Sequence, residues 1–173
     1  LILFLVPRLR NLAGFAGSAR YWGFVVLLYL LGPGLMVNGL IKRTFGRARP
    51  VDIELFGGDG PFSAAWEVSG YCPYACSFVS GEISAATALL VGLVVGSMWF
   101  SGRPMARSFR ALTLTAIVLL LLTAVQRLGS GRHFLSDVLF AALLIIALGV
   151  TLACLLRPKI QITAAPRTEA RNS

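Results

Sequence analysis

The chain has 173 residues, with 16 Lys and Arg against 7 Asp and Glu for a formal charge of +9, yet only 13% of residues are charged and 57% are apolar. Its mean hydropathy of +0.79 excludes both an ordinary soluble domain and a disordered basic tail. Nucleic-acid binding needs basic residues spread over a wet face; here they sit in short clusters between long uncharged runs, so the composition is that of an integral membrane protein.

A membrane-crossing helix needs about 20 apolar residues. The opening stretch LILFLVP reads as the end of a span whose beginning precedes Leu1, and a chain starting on Leu with no polar lead-in is expected to be N-terminally incomplete. Tyr21 to Ile41 supplies 21 uncharged residues, Ile83 to Gly102 supplies 20 and Val138 to Leu156 supplies 19. Ala111 to Gln126 has only 16, enough to span if Arg110 and Arg127 snorkel to the two interfaces. Gly32-Pro33-Gly34 predicts a kink inside the first full span. Ser84, Ala88, Gly92 and Gly96 recur every four residues and predict close helix packing. These elements predict an all-α membrane bundle, one transmembrane domain over residues 1–157, followed by a disordered cytoplasmic tail over 158–173.

Orientation follows from the distribution of Lys and Arg. One side collects ten basic residues with Glu169 as its single acid, and is therefore predicted to be cytoplasmic. The other side carries Lys42, Arg43, Arg47, Arg49, Arg127 and Arg132, where topology gives no reason for them. The long polar segment Val51 to Val79, rich in Gly, Pro and aromatic residues, lies on that exterior side and is expected to be an ordered cap. Cys72 and Cys76 within it are a disulfide candidate in an oxidising compartment, with two free thiols as the alternative. Cys154, at the other end of the last span, reads as apolar filling.

Three polar clusters fall at the exterior ends of successive helices: Lys42 to Pro50, Ser77 to Glu82, and Arg127 to His133 with Asp137 four residues on. Guanidinium groups, a Lys and a helix start carrying Ser80 and Gly81 together suit a phosphate dianion. His133 and Asp137, at i and i+4, are expected to share a helix face, so that the carboxylate orients the imidazole. Arg43, Arg47 and Arg132 are left between substrate contacts and simple attraction to anionic headgroups.

Lys42 followed after six residues by Arg49-Pro50, then Ser80-Gly81, then Arg127 followed after five residues by His133 and after three more by Asp137, resembles the three-part signature of the type 2 phosphatidic acid phosphatase superfamily. CSFVSGE after GRARP looks closest to its bacterial lipid A phosphatases. The resemblance implies a six-span fold, of which about five spans, the first partial, are present. It implies a lipid phosphomonoesterase of the bacterial inner membrane working at the periplasmic face, with no cofactor and no metal. Its partners would be the bilayer and a lipid substrate. His133 would attack phosphorus to give a phosphohistidine, Asp137 would hold it, and Lys42, Arg49, Arg127, Ser80 and Gly81 would bind the phosphoryl oxygens.

Two positions depart from that pattern. The usual Ser before the third-motif Arg is Gln126, and the second-motif His, which protonates the leaving alkoxide, is Glu82. With His133 the single histidine of the chain, a two-histidine mechanism is excluded. Glu82 either takes over as general acid or holds Arg49 or Lys42 in place. A phosphotransferase on the same scaffold and a non-catalytic lipid-phosphate binding protein are the competing readings.

Overall fold

The computed structural model describes residues 15–73 and 76–156, with side chains described from residue 19 onward. The apolar opening stretch and the tail from 158 lie outside those residues. Among the described residues there is no strand; four helical segments are long and apolar enough to cross a membrane.

The first begins as α1, Phe15–Tyr29. From Leu30 to Ile41 the helix widens into π geometry, in which an N–H reaches back five residues, as Lys42 N–H does to Val37 O. The physical cause lies in Pro33, which has no N–H to give and whose ring disturbs the preceding turn. Asn38 Nδ2 donates to the Pro33 carbonyl at 2.7 Å, so a side chain satisfies a group released there. Where the sequence predicts a kink, the structure has this extended widening. A last turn, α2, spans Lys42–Phe45 and ends at Gly46, whose φ of +54° turns the chain sharply. A Cβ at Gly46 would lie 2.9 Å from Gly70 Cα, so both conformation and space favour glycine.

α3, Gly81–Trp99, runs back through the bundle, α4, Met105–Gly129, returns, and α5, Leu135–Leu156, runs away again. Buried Ser84, Ala88, Gly92 and Gly96 lie along α3 and let its neighbours approach closely. Tyr21 Oη donates to the Gly92 carbonyl at 3.0 Å, and Tyr29 Oη to Ala85 O at 3.1 Å. A Cβ at Gly149 of α5 would meet Val91 at 2.5 Å, and one at Gly32 would meet Ile145 at 2.7 Å. Tyr21, Phe24, Leu28, Ile83, Ala88, Val138, Ala141 and Ile145 form the buried core between α1, α3 and α5.

α4 has 25 residues, about 37 Å at 1.5 Å per residue. Arg110 and Arg127 lie inside the helix, which therefore runs beyond its 16-residue uncharged stretch at both ends. This alternating course brings four chain ends to one end of the bundle: the end of α2, the start of α3, the end of α4 and the start of α5.

Candidate active site

The inner part of the site is built on the start of α5. Asp137 is the third residue of that helix, and its Oδ2 accepts from the Phe134 N–H at 2.9 Å, the reciprocal half of a capping box. The same carboxylate is fully buried, accepts from Ser77 Oγ, and is ion-paired with Arg47 through Oδ1 at 2.5 Å. Arg47 follows the turn at Gly46 and points inward; it is 3% exposed. Its Nε donates to Ser63 O at 2.9 Å, and one terminal nitrogen donates to Ser136 Oγ at 2.9 Å as well as to Asp137. The guanidinium carbon lies 4.0 Å from the centre of the Phe134 ring.

His133 sits in the short connection between α4 and α5, tied to α4 because its N–H and that of Arg132 both donate to Arg127 O. Gly131, at φ +61°, makes the turn possible, with Val51 pressed where a Cβ would be. His133 therefore precedes α5. The i, i+4 pairing with Asp137 arises across a helix start, where the sequence reading expects a shared helical face. Nδ1 of His133 lies 2.8 Å from the Ser77 carbonyl and 3.7 Å from Asp137 Oδ2. A carbonyl only accepts, so Nδ1 carries the hydrogen, and in the neutral ring Nε2 holds the free lone pair.

The outer part faces the open end. Nε2 of His133 is 3.3 Å from Glu82 Oε2, and Glu82 Oε1 is 3.3 Å from a terminal nitrogen of Arg127. Glu82 is 42% exposed and Arg127 29%, whereas His133 is 4% exposed. Ser80 caps α3: its Oγ accepts from Ile83 N at 3.4 Å and lies 3.4 Å from Glu82 Oε2. Lys42 Nζ and Asn38 Oδ1 come within 3.3 Å and 3.0 Å of the place a Cβ on Gly81 would take, so glycine there admits the ammonium to the helix start. Lys42 is within electrostatic reach of Arg49, Glu82, Arg127 and Asp137. Burial alone would push the His133 imidazole down, but its contacts with Asp137 and Glu82 outweigh that and hold it above its ordinary value.

Lys42, Ser80, Gly81, Glu82, Arg127, His133 and Asp137 are thus gathered at one end of the bundle, with half-buried Arg49 within reach of Lys42. Arg43 and Arg132 stand exposed at the surface. Arg47 is in neither of the settings read for it, substrate contact or headgroup attraction, because it is sealed beneath the site against Asp137. Cys72 and Cys76 are joined as a disulfide, their Cα atoms 5.5 Å apart. Ser77 and Ser136 carry site contacts that sequence reasoning did not assign; Ser77 lies inside the second cluster, but nothing in its spacing tells which serine turns inward. Among the described residues, no three His, Cys, Asp or Glu side chains form a set able to ligate a metal ion.

Residues 22–161 match the family profile of the PAP2 superfamily. Among curated proteins, the chain is 39% identical over 110 residues to a lipid A 4'-phosphatase of Rhizobium etli, covering 63% of this chain and 39% of that protein. It is 37% identical over 110 residues to one of Rhizobium leguminosarum, covering 63% and 43%. It is 32% identical over 141 residues to one of Francisella tularensis subsp. novicida, covering 79% and 59%. In each case the match spans less than two thirds of the relative's length. No solved structure matches the chain.

Proposed function

The chain belongs to the PAP2 superfamily, and from that premise we propose that it is a membrane phosphomonoesterase that removes phosphate from a lipid, with lipid A the favoured substrate. The observation that carries this reading is the geometry at His133: Nδ1 bound to a carbonyl, Nε2 turned toward the open end, and Glu82, Arg127 and Lys42 around it. The names of the three relatives supply the choice of lipid.

In this mechanism the acyl chains stay in the bilayer and the phosphate enters the outer part of the site. Lys42, Arg49 and Arg127 bind its oxygens, helped by Ser80 and the Gly81 N–H at the start of α3. The arriving dianion competes with Glu82 for Arg127 and repels the carboxylate, drawing the Nε2 proton of His133 across to Glu82. That single transfer frees the nucleophile and loads the acid. Nε2 then bonds to phosphorus, the ester P–O bond breaks, and Glu82 returns its proton to the departing alkoxide. Water attacks the phosphohistidine, giving up a proton to Glu82 and releasing inorganic phosphate. Cationic side chains do the charge stabilisation, and the route calls for no metal.

The basic residues concentrated at the opposite end of the spans support a placement in the bacterial inner membrane with the site facing the periplasm.

The decisive experiment is inorganic phosphate release by the purified chain in detergent with EDTA, on a lipid A phosphate, phosphatidic acid and an undecaprenyl phosphate, beside His133→Ala. Release that survives EDTA and requires His133 is the expected result, largest on the lipid A phosphate. Binding of these lipids without release from any of them would overturn the hydrolase in favour of a transferase or a binding protein.

A further inference from the structure

Among the described residues, Arg47 is the only buried Lys or Arg. A ligand for substrate phosphate needs an open approach, and Arg47 has none. Its guanidinium lies against Phe134, with Phe62 of the 51–79 segment 5.9 Å away. Its donors go to Ser63 of that segment and to Ser136 and Asp137 of α5. Its own carbonyl accepts from the Ser77 N–H at 2.9 Å. Ser77 in turn holds both Asp137, through its hydroxyl, and His133, through its carbonyl. Arg47 therefore joins the first cluster, the second cluster, the 51–79 segment and the start of α5.

We propose that Arg47 is a positioning residue for the nucleophile: it fixes Asp137 and offsets its charge, so that His133 is aimed by Asp137 and Ser77 yet gives up its Nε2 proton when substrate arrives. This rests on the reading of His133 as the nucleophile. A buried carboxylate with no counter-charge would either take up a proton or bind the imidazolium too firmly for attack. The charged groups facing His133 are Asp137 from α5, Glu82 from α3 and Arg127 from α4, with Arg47 behind Asp137 and Lys42 of α2 near the start of α3. Removing the positive charge of Arg47 raises the proton affinity of every group within reach. The one proton shared by His133 and Glu82 becomes the acid's proton, so activity falls as pH rises through the His133 titration, and without Arg47 that falling limb must move to higher pH.

Two readouts test this on the whole chain in detergent, purified without a histidine tag. The first is the NMR titration of the imidazole, unambiguous because the chain has one histidine. The second is the pH profile of kcat and KM for phosphate release. Arg47→Met is expected to raise the titration midpoint of His133 and to move the falling limb by roughly one pH unit toward alkaline. It should lower kcat at neutral pH about 100-fold with KM changed less than threefold, because the phosphate ligands are intact. Arg47→Lys, which keeps the charge but cannot reach Ser63, Ser136 and Asp137 together, should restore the midpoint and only part of kcat. If Arg47→Met does not fold, Arg47→Gln removes the charge while keeping a donor for Ser63 and serves the same titration. A midpoint that is unmoved in the folded neutral variant overturns the role of Arg47. A wild-type chain that releases no phosphate overturns the hydrolase reading instead, and the two failures are told apart because the titration needs no turnover.

Discussion

The inner and outer halves of the site are built from the same residue types under opposite rules. Below His133, Arg47 and Asp137 form an ion pair sealed from solvent, and the Asp137 carboxylate is held by Arg47, Ser77, the Phe134 N–H and the His133 ring. Above it, Glu82 and Arg127 pair at 3.3 Å with substantial exposure. A sealed pair cannot exchange partners without leaving a buried charge, whereas a half-exposed one surrenders its contacts to an incoming anion at small cost. On the proposed mechanism, the difference separates what must stay still during turnover from what must move.

That separation can be broken by substitution. The largest effect is expected at the residue that belongs to both halves: His133→Ala should lower phosphate release by on the order of 10³-fold or more while the protein still elutes as a folded species in detergent. Next, Asp137→Ala should cost about 3–5 kcal/mol of stability by stranding Arg47 in the interior, read as a large drop in thermal midpoint. Glu82→Gln should change stability by less than about 0.5 kcal/mol, since Glu82 is itself 42% exposed. Equal destabilisation by the two would erase the distinction between the halves. The effect of Glu82→Gln belongs in the rate: about 100-fold or more on a lipid alkoxide leaving group, and a clearly smaller loss on nitrophenyl phosphate, whose leaving group needs no proton although attack and hydrolysis still use Glu82 as base. Equal losses on both would make Glu82 an organiser of Arg127 and His133 and remove it as the acid.

Much of this was legible before any coordinates. Long uncharged runs give the helices, and the three clusters fall at consecutive helix ends because hydrophobic spans of similar length alternate direction. What the pattern could not give is the direction of a side chain leaving a turn. Lys42, Arg47 and Arg49 are close in sequence, yet Gly46, in its left-handed conformation, turns Arg47 into the interior while Lys42 stays beside Gly81. The i, i+4 spacing of His133 and Asp137 correctly brings the pair together for an incorrect reason, since α5 begins only at Leu135 and Asp137 acts first as its capping residue. Ser77 is invisible to periodicity because its role depends on two other segments arriving at it. The widened stretch after Leu30 was readable only as a disturbance at Pro33, because the number of residues a helix takes to absorb a proline depends on what packs around it, here Ile145 against Gly32.

The smallest expected effect tests the junction between the halves. His133 holds its proton more firmly in the folded chain than the ordinary value of 6.5, its contacts to Asp137 and Glu82 outweighing burial. A group whose folded value is raised adds stability that is fully present below the unfolded value and is lost as pH rises through the folded one. The thermal midpoint should therefore be level below about pH 6 and decline above it, through the neutral and mildly alkaline range. His133→Gln should flatten that decline. Glu82→Gln, which removes one of the two carboxylates that favour the imidazolium, should end the decline at lower pH than in the unmodified chain. A decline identical in all three proteins would place the titrating group elsewhere and leave the outer contact at 3.3 Å without an energetic role.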